Sequence, residues 1–141
     1  MKLSSTAGTQ GIGWAQETFV GKASEAITKG LVVECLLSAL EPDDAQSVAI
    51  ANGAGFGIYA VALEDIPSGK TGLCCLSGKV EVQGGDTSGK GTPLMANSSG
   101  KVVALTGNDT VSIGFNVDAL TDGALHTVLI NGFCPQTIGT A

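Results

Sequence analysis

The sequence predicts an all-β fold, and three observations carry that prediction. Of the 141 residues, 43% are hydrophobic and only 14% charged, which is too apolar for a disordered chain. Twenty-one glycines imply frequent turns. The apolar residues fall in short or alternating runs cut by Gly, Pro, Asp and Asn, with no sustained helical period. The length suits one domain with a modest core.

In chain order, residues 1–16 ("MKLSSTAGTQGIGWAQ") carry neither periodicity and read as an extended N-terminal arm. The strand candidates then follow as "ETFVGKA", "LVVECLL", "QSVAIA", "GIYAVAL", "TGLCCL", "KVEV", "TPLMA", "KVVAL", "TVSIGFNV" and "HTVLI". The stretch "ASEAITKG" has room for a single helical turn, but Thr28 and Gly30 limit propagation, so it is expected to be a turn before a strand.

An internal repeat organises these runs. "ITKGLVV" (27–33) resembles "SGKGTPL" (88–94), and "GIYAVALEDIPSGKTGLCCLSG" (57–78) aligns with "GFNVDALTDGALHTVLING" (114–132) after three residues are dropped. In that alignment Gly57 meets Gly114, Ala62-Leu63 meets Ala119-Leu120, Asp65 meets Asp122 and Gly78 meets Gly132. The repeated unit reads as a strand, a turn with Asp and Gly, a second strand and a Gly-containing turn. The expected architecture is a compact β-barrel or sandwich built from two related hairpin-containing halves. It is a single domain over 17–141, with the halves at about 20–83 and 84–133 and the arm in front.

The motifs that carry chemistry elsewhere are incomplete here. A phosphate loop needs Gly, four residues, Gly-Lys and Ser or Thr, then a helix whose N-terminal amides hold the phosphate. "EDIPSGKT" has Glu64 in place of the first glycine, "GGDTSGKG" has Gly91 in place of the hydroxyl, and neither precedes a helical pattern. His126 is the single histidine, so it has no second imidazole to share a metal or complete a relay, and it is expected to face solvent on a strand. The acid pairs Asp43-Asp44 and Glu64-Asp65 fall at turn signals, and "NSS" at 97 and "NDT" at 108 mark surface loops. Cys35, Cys74, Cys75 and Cys134 match no zinc spacing and are expected to be reduced, buried hydrophobes, with Cys74 and Cys75 on opposite faces of one strand. The sequence therefore assigns no catalytic, cofactor-binding or metal-binding residue, and no enzyme activity.

A net charge of −6, with seven lysines and no arginine, opposes a nucleic-acid partner. No run approaches the roughly 20 apolar residues of a membrane span, and no basic, apolar leader opens the chain.

The Ala- and Gly-rich halves, the "ITKGLVV" turn into a strand and "GIYAVALEDIPSGKTGLCCLSGKVEV" together resemble the small capsid decoration, or cement, proteins of tailed bacteriophages, over roughly residues 20–133. Asp118 and Thr121 depart from the pattern by breaking the apolar strand end. The resemblance implies a β-rich virion protein without enzymatic activity, made in the bacterial host cytoplasm. Such a protein sits on the outer surface of an icosahedral head and bridges neighbouring major capsid subunits, commonly as a homotrimer. On that reading Ile12, Trp14 and Phe19 are the expected capsid or subunit contacts, because apolar side chains between the glycines of an arm can anchor in a partner's pocket. The alternative is a carbohydrate-binding or host-adhesion module on a phage head or tail, which draws on the few aromatics Trp14, Phe19, Phe56, Tyr59, Phe115 and Phe133.

Overall fold

The computed structural model describes residues 15–40, 45–52, 57–106, 110–132 and 136–138. These residues contain strands and turns and no helix. The strands are β1 (Glu17–Ala23), β2 (Val32–Leu40), β3 (Gln46–Ile50), β4 (Tyr59–Ala62), β5 (Thr71–Gln83), β6 (Pro93–Ala96), β7 (Val102–Ala104), β8 (Thr110–Ser112), β9 (Gly114–Asn116), β10 (Leu125–Asn131) and β11 (Gln136–Ile138).

The first five strands close on themselves. β1 pairs parallel with β3, the sheet runs on through β2 and β4 to β5, and β5 returns antiparallel to β1, so a five-stranded barrel forms. Closure leaves no free edge in this ring, which removes the main aggregation hazard of a small β domain. The sheet continues from β5 through β10, β9 and β6 to β7, and β7 comes back to the end of β5 by a parallel bridge between Gly84 and Val102. A second ring is therefore built on the first, and β5 belongs to both.

Hydrogen bonds repeat between the rings position for position. The Gly69 amide donates to the Ala23 carbonyl and the Gly123 amide to the Gly84 carbonyl. Ile27 and Ile66 exchange two bonds across one barrel end, as Ser88 and Leu120 do across the other. Gly30 donates to Ala62 as Gly91 does to Asn116. The backbone angles follow: Gly30, Gly69, Gly91 and Gly123 have φ of 89°, 78°, 74° and 82°, a left-handed conformation that costs glycine little. The match of "ITKGLVV" with "SGKGTPL" is in this register. The later match is so only in part: its Gly78–Gly132 pair is in this register, but Ile66, not Leu63, is the counterpart of Leu120, so no residue is dropped between 57–78 and its counterpart segment. The repeated letters Ala-Leu and Asp misled because small and turn residues recur by chance, whereas the register follows the buried plug at each barrel end (Ile66 at 1% exposure, Leu120 at 0%).

Other boundaries differ from expectation for local reasons. "TGLCCL" and "KVEV" form one continuous strand, so the glycine turn expected at Gly78 is absent. Gly78 instead bends β5 at φ 122°, where the carbonyl of Ala15 crowds the space a Cβ would need. β1 holds the strand before this bend and β10 after it, which keeps it extended. "TVSIGFNV" splits at Ile113, whose amide turns to the Leu94 carbonyl; β9 stays in the main sheet while β8 pairs with β11. "ASEAITKG" is a turn and bridge, as its composition requires.

Two apolar clusters fill the rings. Ala23, Val33, Val48, Ala60, Ala62 and Cys74 line the first barrel with Ile27 and Ile66. Val80, Val82, Leu94, Val102, Leu120 and Val128 line the second, and this cluster continues onto Val32, Val61 and Cys75 on the outer wall of the first barrel. Burying each such aliphatic side chain contributes about 1.5–3 kcal/mol, so the contact between the rings is a stabilising core in its own right.

Close approach explains where glycine is obligatory. A Cβ on Gly132 would run into the Tyr59 carbonyl oxygen, whereas one on Gly89 would meet open space. Gly132→Ala is expected to lower the stability by about 1–3 kcal/mol. Gly89→Ala should change it by no more than about 0.5 kcal/mol. Urea midpoints measure both, and equal midpoints for the two variants would contradict the packing described.

Candidate interaction surface

The glycine-lysine segments are turns between strands. Pro67–Lys70 close a tight turn, with the Lys70 amide bonded to the Pro67 carbonyl, and Thr71 begins β5. Gly89-Lys90-Gly91 likewise leads into β6. No helix N-terminus stands behind either segment to hold a phosphate. In the structural register Gly69-Lys70-Thr71 meets Gly123-Ala124-Leu125, and the second segment has no lysine at all.

The polar side chains singled out by sequence are engaged locally. Glu64 Oε2 accepts the Leu73 amide at 2.8 Å and Asp65 Oδ1 accepts the Lys29 amide at 2.8 Å, so this exposed acid pair fastens its turn to β5 and to the turn between β1 and β2. Asn97 Oδ1 accepts the amides of Ser99 and Lys101 and folds the tip of the β6–β7 hairpin. His126 was expected to face solvent, but it is half-buried on β10 and its Nε2 accepts the Thr121 amide at 3.0 Å. That bond requires the neutral tautomer with its proton on Nδ1. Asp43, Asp44, Asn108 and Cys134 lie outside the described residues.

Cys74 and Cys75 are adjacent on β5 and fully buried in different clusters, while Cys35 is half-buried on β2. All three are free thiols. Burial pushes Cys74 up to about 12, with smaller contributions from neighbouring Cys35, Glu64 and Cys75, and pushes Cys35 up to about 11. Burial raises Cys75 too, an effect reduced but not cancelled by hydrogen bonding to the Ser77 backbone. At neutral pH these groups are protonated and poor nucleophiles. Among the described residues no three His, Cys, Asp or Glu side chains converge as a metal site.

An open groove of about 350 Å³ runs where Lys29 and Leu63 cross β5 beside Gln16, Lys79, Glu81 and Thr127. Its two lysines and its glutamate are exposed surface chains, and the Gln16 amide is spent on the Lys79 carbonyl. The surface is more distinctive for its apolar residues: Val20 and Leu73, paired across β1 and β5, together with Phe115 and Leu125, are each 40–47% exposed.

Of the expected contact residues, Phe19 is half-buried on β1, opposite Cys74, and packs against the first barrel's core. Ile12 and Trp14 lie outside the described residues. Sequence reasoning named Phe115 only among the six aromatics of the adhesion alternative; the structure leaves it 40% exposed where its counterpart Val61 is fully buried. Tyr59 is buried, so Phe115 is the one exposed aromatic among the described residues.

The buried thiols give a signed pH dependence. In the unfolded chain a thiol ionises near its ordinary value of 9.0, whereas folded Cys74 stays protonated to about 12. The stability is therefore whole below pH 9 and falls as pH rises through the interval between the two values. Urea midpoints at pH 7 and above pH 9 should fall further for wild type than for Cys74→Ala; identical pH slopes would contradict the buried, neutral thiol.

No family model matches the chain, and no curated protein does. Among solved structures it is similar to the N base of the head fiber gp8.5 of bacteriophage phi29, at 18% sequence identity and a TM-score of 0.65, covering 89% of this chain and all of that one.

Proposed function

We propose that this protein is a structural component of a phage head, bound to the outer surface of the capsid, where it cements neighbouring major capsid subunits as a homotrimer. The observation that carries the reading is the shared fold with a phage head fiber base over 89% of the chain. The sequence pattern supports it independently through its resemblance to capsid decoration proteins. A closed β-barrel with further strands built on it, together with buried, protonated thiols, suits a part that contributes buried area rather than chemistry. Copies repeated over the shell would stabilise the state they bind by mass action.

The solved neighbour favours a variant of this reading, in which the domain seats on the head and carries a projecting element, because that protein is the base of a fiber. The adhesion alternative has one exposed aromatic to offer among the described residues, Phe115, where a glycan platform usually needs more. Binding on a glycan array would favour it.

The purified protein is expected to co-sediment with expanded phage capsids and not with immature ones. Trp14→Ala should weaken that binding while leaving the circular dichroism unchanged. Failure to bind any capsid state would overturn the proposal, and unaltered affinity of the variant would remove the arm from it.

A further inference from the structure

We infer that one copy of this protein docks head-to-tail on the next, the end of its first barrel seating on the outer wall of its neighbour's second barrel. The inference uses the repeat geometry alone and does not rest on the capsid reading. The template is the interface already present inside the chain. There, Val32, Val61 and Cys75 form a cross-strand ladder on the outer wall of the first barrel, and each is 0% exposed because the second ring covers it. The covering end of the second ring includes Val80, Ala96 and Ile130, which are 1–5% exposed and belong to the same cluster.

The repeat register carries both surfaces to a second place. The ladder recurs on the second ring as Pro93, Phe115 and Leu129, paired in the same order across β6, β9 and β10. Here none of the described residues covers it completely: Pro93 and Leu129 are half-buried and Phe115 is 40% exposed. The covering end recurs on the first barrel as Phe19, Cys35 and Leu76, all half-buried where their counterparts are sealed. Phe19 stands opposite Cys74 as Val80 stands opposite Val128, and Cys35 opposite Val48 as Ala96 opposite Val102. Among the described residues each chain therefore presents one incompletely covered wall and one incompletely covered end, the two halves of a contact it makes internally. The occupant that fits both, and continues the established interface, is a second copy of this chain. Such a contact joins unlike surfaces, so it closes into a ring where the rotation per copy permits, and a trimer is one such ring.

Two surface variants and their mixture test this. Sedimentation of the wild type should rise above the monomer value with concentration, while Phe115→Asp on the wall and Leu76→Asp at the end should each remain monomeric. Mixed together they should form a one-to-one dimer and nothing larger, because each supplies the surface the other lacks. A monomeric wild type, assembly by either single variant, or a mixture that stays monomeric would overturn the inference. Should Leu76→Asp fail to fold, a photo-crosslinking residue at position 115 decides, using mixed heavy- and light-isotope chains. Intermolecular links to the peptides holding Phe19 or Leu76 support the contact; links between two copies of position 115, or none, overturn it. Capsid co-sedimentation is read separately, so either proposal can fail without the other.

Discussion

Strand β5 pairs with β1 along its first half and with β10 along its second, and the rest of the fold depends on that division of its backbone hydrogen bonds. A single extended segment closes one barrel and opens the next. The bend that makes this possible lies at Gly78, where φ is 122° and a side chain would strike the Ala15 carbonyl. The same strand sends Cys74 into the first core and Cys75 into the second, because successive side chains point to opposite faces. The two cysteines that look like a chemical motif are thus a consequence of a strand buried on both sides.

From the shared strand follows an asymmetry between two otherwise equivalent halves. The second ring sits on the wall of the first, which converts Val61 into core while its counterpart Phe115 stays at the surface. Polarity diverges in step: at the barrel ends Ile27 is replaced by Ser88, and Ala62 by Asn116, whose amide nitrogen donates to the Ser88 hydroxyl and the Gly89 carbonyl. The first barrel carries the drier plug, and the second one tolerates a hydrogen-bonded network in its place.

Much of this was legible in the sequence. The all-β class, the turn nature of the Gly-Lys segments and most strands, "ETFVGKA" to the residue, follow from alternation and turn chemistry alone. The closure of the rings did not, because it rests on parallel pairings between β1 and β3 and between Gly84 and Val102, long-range contacts that leave no local mark. Gly78 read as a turn because glycine's permissiveness serves bends and turns equally. His126 read as exposed because nothing local announces that the Thr121 amide will reach its ring. The surfaces at Phe115 and Leu76 were invisible until the register fixed their counterparts, since half-burial is a property of what packs outside a strand, not of the strand's own pattern.

If β5 joins both rings into one cooperative unit, native-state hydrogen exchange measures it directly. The amides of Cys74 and Cys75 in the first ring and of Val80 and Val82 in the second should exchange with the same free energy, equal to that of global unfolding. Two separate values, with one half of β5 opening while the other stays protected, would contradict the account.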